Sequence, residues 1–322
     1  MMRSNILLLS AGRRVELLRS FRYSLDIHLP QAKIFAADTA PQYSAACQVA
    51  DECFDIPRVS APGYIDALLA LCRELRVGLI IPTIDTELMA LSRYRYRFLE
   101  ESIQPVISDA MLIAQCRDKR LTAKLFKSIG VDTPVIYPRN SLAYPCFCKP
   151  YDGSSGEGAV VVSGPERLSR SMLDDERNMF MELVGNDYQE YTVDAYYDRH
   201  GRLRCLVPRQ RLEVRGGEVS KGITRRGYVY DYLARRLTRL SGARGCITVQ
   251  LFFHPVTRSI KAFEINPRFG GGFPLADAAG ARYPDWLIRE YLLGQAIDSF
   301  DSWQQNLLML RYDAKVLVPL DR

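Results

Sequence analysis

The sequence predicts an α/β protein whose C-terminal part is α+β, and three observations carry that expectation. Up to Ile107, short apolar runs alternate with amphipathic stretches, the pattern of a βαβ series and hence of a parallel sheet with helices on both sides. Beyond Asp109, two helical patterns lead into a small, mostly antiparallel group of strand-like runs. The 322 residues, 48% hydrophobic and 25% charged, are enough for two or three compact units.

In chain order, strands are expected at Ile6 to Leu9, Lys33 to Ala37, Cys53 to Ile56, Leu79 to Pro82 and Val106 to Ile107. Between them, Val15, Leu17, Leu18 and Phe21, then Ile65, Leu68, Leu69, Leu71 and Leu75, recur at helical spacing and give each helix one apolar face. Asp109 and Asp118 stand where they would cap two further helices, and Gly130 stands where the second would end. These signals divide the chain into residues 1–112, with the parallel sheet, and 113–322. Within the second part, Val135–Ile136, Cys146 to Lys149, Ala159 to Val162 and Met179 to Val184 form a small, mostly antiparallel subdomain over about 134–184. Strands at Glu190 to Tyr197, Arg202 to Val207, Ile247 to Phe253 and Ser259 to Ile265, with helices around Tyr230 to Leu240 and Pro284 to Leu293, complete the prediction.

Composition excludes several functional classes. No apolar run approaches the roughly 20 residues of a membrane span, and the amino terminus lacks the apolar stretch of a secretory signal. A cytoplasmic protein without membrane partners is expected. The net charge of +6 is spread along the chain without a block of like charges, so no nucleic-acid partner is expected. The eight cysteines lack zinc spacing, and the three histidines are far apart in sequence. No Ser/His or Cys/His nucleophile arrangement is evident.

Two constellations carry chemistry. The first is Lys149-Pro150-Tyr151-Asp152-Gly153-Ser154-Ser155-Gly156-Glu157-Gly158, a Gly/Ser loop between strand-like runs. Its peptide N–H groups could cradle phosphate oxygens beside the lysine charge; a plain hairpin turn is the competing reading. Lysine is rare here, eight among 43 basic residues, which sharpens interest in Lys149 and in Lys119 behind its Asp118 cap. The second is Gln250 on one strand and Glu264-Ile265-Asn266-Pro267-Arg268 on the next, followed by Phe269 and three glycines. Paired antiparallel strands could bring Gln250 beside Glu264, and Asn266 shares the Glu264 face. Such oxygen donors suit a hard cation completed by phosphate, with Arg268 alongside to hold an anion. Gly12 stands alone where a dinucleotide fingerprint needs three glycines, so a dehydrogenase is not expected.

The order Asp118-Lys119, Lys149-Pro150 with the 153–158 loop, Met181-Glu182-Leu183-Val184-Gly185, Glu190 to Asp194, Gln250, and Glu264 to Arg268 resembles the ATP-grasp superfamily. The likeness is to the ATP-binding halves of carbamoyl phosphate synthetase and to stand-alone amino-acid ligases. Leu8 to Arg14, Ala37-Asp38 and Ile81 to Leu88 resemble that family's pre-ATP-grasp domain, so the likeness spans about residues 3 to 295. It implies a Rossmann-like pre-ATP-grasp domain followed by a two-lobed ATP-grasp fold, in which the subdomain over about 134–184 moves as a lid. By the same likeness, Lys119 and Lys149 contact ATP phosphates under the Ser154, Ser155, Gly156 and Gly158 loop. Glu182, Leu183 and Val184 form the adenine hinge, and Glu190 takes the ribose, with Asp187 as the alternative. Gln250, Glu264 and Asn266 hold Mg²⁺, or Mn²⁺ in its place, while Arg268 joins Lys149 as a catalytic residue steadying an acyl phosphate.

The implied activity is an ATP-dependent, ADP-forming carboxylate–amine ligase acting on an amino acid or small peptide. The alternatives are carbamoyl-phosphate-type phosphorylation of bicarbonate or carbamate, and a non-catalytic ATP-binding regulatory subunit. The basic stretch from Arg209 to Arg226 reads either as a solvated loop or as a substrate grip, for which Arg211, Lys221 and Gly271 are the candidates. The loop from Ser10 to Arg14 opens a helix and could hold an anion. A homodimer is the assembly left open.

Overall fold

The computed structural model describes residues 3–153 and 156–319. The first part runs β1 (Asn5–Leu9), α1 (Val15–His28), β2 (Ile34–Asp38), β3 (Glu52–Asp55), α2 (Tyr64–Glu74), β4 (Val77–Pro82), α3 (Asp85–Arg93), α4 (Arg95–Glu100) and β5 (Gln104–Pro105). Its five strands pair in parallel in the order β3-β2-β1-β4-β5, the expected parallel sheet. Alternation along the strands explains why the runs are apolar throughout. Leu7, Leu9, Phe35 and Ile80 pack on α2, α3 and α4, whereas Ile6, Leu8, Ile34 and Ile81 pack on α1. Strand order reverses between β1 and β4, so the loops after these two strands open side by side at their carboxyl ends. The strand expected at Val106–Ile107 lies instead at Gln104–Pro105, and helices α3 and α4 were not anticipated because they are too short to repeat an apolar face.

Next come α5 (Ala110–Arg117) and α6 (Lys119–Ser128). The Asp118 carboxylate caps α6 by accepting the Arg120 N–H at 2.8 Å. Asp109 occupies the corresponding position on α5 without a capping bond, because its carboxylate is drawn instead to Arg244 and Arg95. Strands β6 (Ile136–Tyr137), β7 (Cys146–Pro150), β8 (Val160–Val162) and, after α7 (Arg170–Asp174), β9 (Asn178–Glu182) make a four-stranded antiparallel sheet ordered β6-β9-β7-β8. Cys146 and Cys148 fill its own small core with Val162 and Phe180, which leaves Phe147 and Lys149 on the opposite face.

The remaining elements are β10 (Gln189–Tyr197), β11 (Leu203–Arg215), β12 (Glu218–Thr224), α8 (Tyr228–Leu237), β13 (Gly245–Phe253), β14 (Ile260–Asn266), α9 (Phe273–Ala278), α10 (Tyr283–Leu287) and β15 (Leu308–Leu310). Helix α10 continues as one wide π turn over Ile288–Leu292. The six strands form an antiparallel sheet ordered β14-β13-β10-β11-β12-β15. Val193, Ile247 and Val249 bury against α5, α6 and α8. Tyr196, Val207 and Cys246 instead join Phe21 of α1, Tyr283 and Trp286, so this core is continuous with that of the parallel sheet. The basic stretch read as a loop is the β11–β12 hairpin. Gly216 and Gly217, at φ of 57° and 78°, form its two-residue turn, where both central positions need positive φ. Among the described residues no helix is long and apolar enough to cross a membrane.

Candidate active site

A cavity of 530 Å³ opens between the four-stranded and six-stranded sheets and is bordered by Arg14 and Asp85 from the loops of the parallel sheet. One part is apolar, with Phe147 and Met181 facing Phe252 and Phe263 across it. The latter two rings stack with centroids 4.6 Å apart. Glu182, Leu183 and Val184, which lead out of β9, line the same part. The Glu182 side chain is engaged by Lys261 and by the Val135 N–H, so it fastens β9 to its neighbours.

Lys119 and Lys149 converge on the cavity from different elements. Lys119 begins α6, where its N–H donates to the Tyr151 carbonyl at 2.9 Å and its ammonium to the Gly153 carbonyl. Lys149 comes from β7, its ammonium 5.5 Å from the centre of the Phe263 ring. Burial pulls Lys149 down to about 8; Glu264 opposes this shift and Lys119 adds to it. A half-desolvated cation beside a second cation is a receptor for an anion.

Across the cavity, β13 and β14 pair so that Gln250 stands opposite Glu264 and Thr248 opposite Asn266. A β-bulge follows, because Leu251 pairs with Ala262 and skips Phe263. Ala262 and Ile265 therefore enter the core while Phe263, Glu264 and Asn266 all line the cavity. Strict alternation along the sequence gives no sign of Phe263 on this face. The Asn266 amide donates to Glu264 at 3.1 Å. One carboxylate and two amide oxygens fit a hard divalent cation, which binds through few protein oxygens and fills its sphere with phosphate and water. No group of three or more His, Cys, Asp or Glu that could hold a metal by itself occurs among the described residues.

The far end of the cavity is rich in guanidinium groups. Arg268 makes a bidentate pair with Asp85, and Arg209 makes one with Asp194 at 2.6 and 3.1 Å. Arg209 and Asp194 are 1% and 0% exposed, so neither could be removed alone without stranding a buried charge. Thr248 ties this pair to the strand end, bonding both Asp194 and the Arg268 carbonyl. Gly270, Gly271 and Gly272 are required here by close approach. A Cβ at these positions would come within 3.0 Å of Thr248, 2.7 Å of Glu218 and 2.3 Å of Arg209, respectively.

Of the residues singled out from sequence, Lys119, Lys149, Gly156, Glu182, Leu183, Val184, Glu190, Arg211, Gln250, Glu264, Asn266, Arg268 and Gly271 line this one cavity. Ser154 and Ser155 lie outside the described residues. Gly158 and Lys221 do not line it. Lys221 sits on the outer face of β12, paired with Glu213 at 2.6 Å, because strand alternation turns Ser220 and Gly222 inward instead. Glu190 and Arg211 pair with each other, and burial raises the Glu190 carboxyl above its ordinary range despite that arginine. Asp187, the alternative for the ribose, is exposed and bonded to His254 at 2.9 Å, away from the cavity. Sequence reasoning missed Asp85, Asp194 and Glu218. For Asp194 a signal exists: it is a lone charge between Val193 and the apolar Ala195-Tyr196-Tyr197 end of β10, whereas Arg209 stands among the other charges of β11 and gives none.

Residues 6–106 match the family model of PylC-like N-terminal domains, and residues 174–312 match that of the ATP-grasp in the biosynthetic pathway with Ter operon. Residues 174–312 thus carry an ATP-grasp domain. Solved structures agree in fold. Biotin carboxylase from Campylobacter jejuni, in its β,γ-ATP complex, superposes with a TM-score of 0.74 at 16% identity, over 95% of this chain and 74% of that one. N5-carboxyaminoimidazole synthetase from Staphylococcus aureus, complexed with ADP, gives 0.70 at 16% identity over 92% and 79%. The L-amino acid ligase from Bacillus licheniformis gives 0.68 at 12% identity over 91% and 75%. No curated protein matches the chain. The ATP-grasp fold thus places the cavity between its two antiparallel sheets, with the loops of the parallel sheet at one end.

Proposed function

We propose that this ATP-grasp protein is an ATP-dependent, ADP-forming carboxylate–amine ligase acting on an amino acid or small peptide through an acyl phosphate. The observation that carries the reading is the convergence of Lys119, Lys149, Gln250, Glu264, Asn266 and Arg268 on one cavity with an apolar compartment at its side. The nucleotide complexes of the biotin carboxylase and the carboxyaminoimidazole synthetase, and the amino acid ligase among the neighbours, support it.

In this reading adenine lies between Phe147, Met181 and the Phe252–Phe263 pair, its edge on the 182–184 backbone, with Glu190 at the ribose. Lys119 and Lys149 hold the phosphates, and the glycine loop after Lys149 covers them. A divalent cation held by Gln250, Glu264 and Asn266 would neutralise phosphate charge. A substrate carboxylate oxygen attacks the γ-phosphorus, and the bond to the bridging oxygen of ADP breaks. Arg268, oriented by Asp85, stabilises the resulting acyl phosphate. The amine then attacks the acyl carbon, loses a proton, and phosphate departs. Because the acyl phosphate is labile to water, the reading includes a lid formed by residues 134–184, hinged on a second domain that begins at residue 113.

The test is ADP release with Mg-ATP across amino acids, singly and in pairs, for wild type and Lys149→Ala. Release that depends on a particular pair and is lost in the variant is expected. Tight ATP binding with no release from any pair would instead point to a regulatory subunit.

A further inference from the structure

Among the described residues four arginines line the cavity, and three are held by carboxylates: Arg209 by Asp194, Arg211 by Glu190 and Arg268 by Asp85. Arg14 is different. Among the described residues its guanidinium makes no hydrogen bond or ion pair, and a neighbouring carboxylate, Glu218, is taken by Arg311 at 2.8 Å and approached by Arg13 at 3.8 Å. Burial disfavours the charge on Arg14, and Arg268 beside it adds to that, with Glu218 only partly offsetting them. A guanidinium does not give up its proton in a protein, so the charge surplus is relieved only by an anion.

The surroundings are shaped to admit one. The Gly271 backbone passes so close that a Cβ there would stand 3.0 Å from Arg14 Nη1 and 2.7 Å from Glu218 Oε1. Leaving out that carbon keeps the face of the guanidinium open to the cavity. The loop bearing Arg14 is braced from below: the Gly12 N–H donates to Asp38 at 2.9 Å, the Ser10 hydroxyl to Glu87 at 2.7 Å, and the Ser44 hydroxyl to the Gly12 carbonyl at 3.1 Å. A cation held in place before its ligand arrives binds with less loss of entropy.

A ligase of the kind proposed above consumes one carboxylate, which ends as an amide. Arg14 keeps its charge throughout, so its partner should be an anion that persists. We propose that Arg14 binds a carboxylate the reaction leaves untouched, so that one of the two substrates is an amino acid recognised through its free carboxylate. The inference rests on the ligase reading for the role of the cavity, but its own content is a binding preference.

It is tested by calorimetric titration of the full-length protein, in the presence of Mg²⁺ and a non-hydrolysable ATP analogue, with the common amino acids and their carboxamides. Wild type should prefer at least one acid over its carboxamide by about 10- to 100-fold, the range of a charge-assisted arginine contact. Arg14→Gln should bring that ratio close to one while leaving affinity for the nucleotide analogue unchanged. Equal binding of acid and carboxamide by wild type, failure to bind any acid, or an undiminished ratio in Arg14→Gln would each overturn the proposal. The wild-type comparison needs no variant and stands even if Arg14→Gln fails to fold. ADP release measured on the same panel judges the ligase reading separately: an acid preference lost in Arg14→Gln, with no release from any pair, would sink that reading and leave the Arg14 site standing.

Discussion

Arg268, just after β14, and Asp85, the first residue of α3, are joined by two hydrogen bonds, Nε to Oδ1 at 3.0 Å and Nη2 to Oδ2 at 2.8 Å. They are 183 positions apart in the chain. This pair links the parallel sheet to the strand carrying Glu264 and Asn266, and it fixes the plane of the Arg268 guanidinium. In the proposed ligase Asp85 is therefore a positioning residue. Asp85→Asn keeps the shape and removes the charge. It is expected to lower kcat about 10- to 100-fold with little change in the KM for ATP, as loss of an orienting partner does. Steady-state ADP release checks it, and an unchanged kcat would free Arg268 from any dependence on Asp85.

Lys149 gives the proposed nucleotide site a pH dependence of known sign. Burial sets it at about 8 in the ligand-free protein, so affinity for Mg-ATP should weaken as pH rises past that value and the ammonium is lost. Lys149→Arg, which stays charged, should show a flat profile up to about pH 9.5. Titration of a fluorescent ATP analogue across this range decides it. Because the folded-state value lies below the ordinary lysine value of about 10.5, the unfolded chain binds more protons between about 8 and 10.5, and this residue makes ligand-free stability rise with pH in that window.

Glu264 is the one carboxylate in the proposed cation set. Glu264→Gln should reduce magnesium-dependent turnover by about 100-fold or more, while the thermal melt and circular dichroism stay those of wild type. Turnover retained in this variant would remove Glu264 from the site.

Glu87 lies 1% exposed beneath the Arg14 loop, bonded to Ser10 and, at 3.4 Å, to Tyr64, with its second oxygen unpartnered. Burial raises its carboxyl to about 7. The native state then binds more protons than the unfolded chain between about 4.5 and 7, so stability falls as pH rises through that window. Glu87→Gln keeps an acceptor for Ser10 and cannot ionise. It should be more stable than wild type at pH 8 by about 1–3 kcal/mol and close to wild type at pH 5. Denaturant melts at the two pH values measure the difference, and a gap independent of pH would show that Glu87 does not titrate there.

Local pattern made much of this protein legible. Parallel strands declared themselves as short apolar runs between amphipathic helices because burial on both faces demands that composition. Gln250 and Glu264 could be paired from sequence because their strands are neighbours in the chain, and Lys149 stood out because its loop is glycine-rich and lysine is scarce. What the tertiary structure alone decided is which charges find each other. Asp85 reaches Arg268 through the docking of one sheet's loop on another's strand end, and Arg14 is left unpaired among the described residues because Arg311, carried in after β15, takes Glu218. The bulge that turns Phe263 into the cavity is a register shift that no residue type announces. Hydrophobic period is a property of one element and survives in the sequence; charge pairing and register are properties of two elements in contact, and they exist only once those elements are packed.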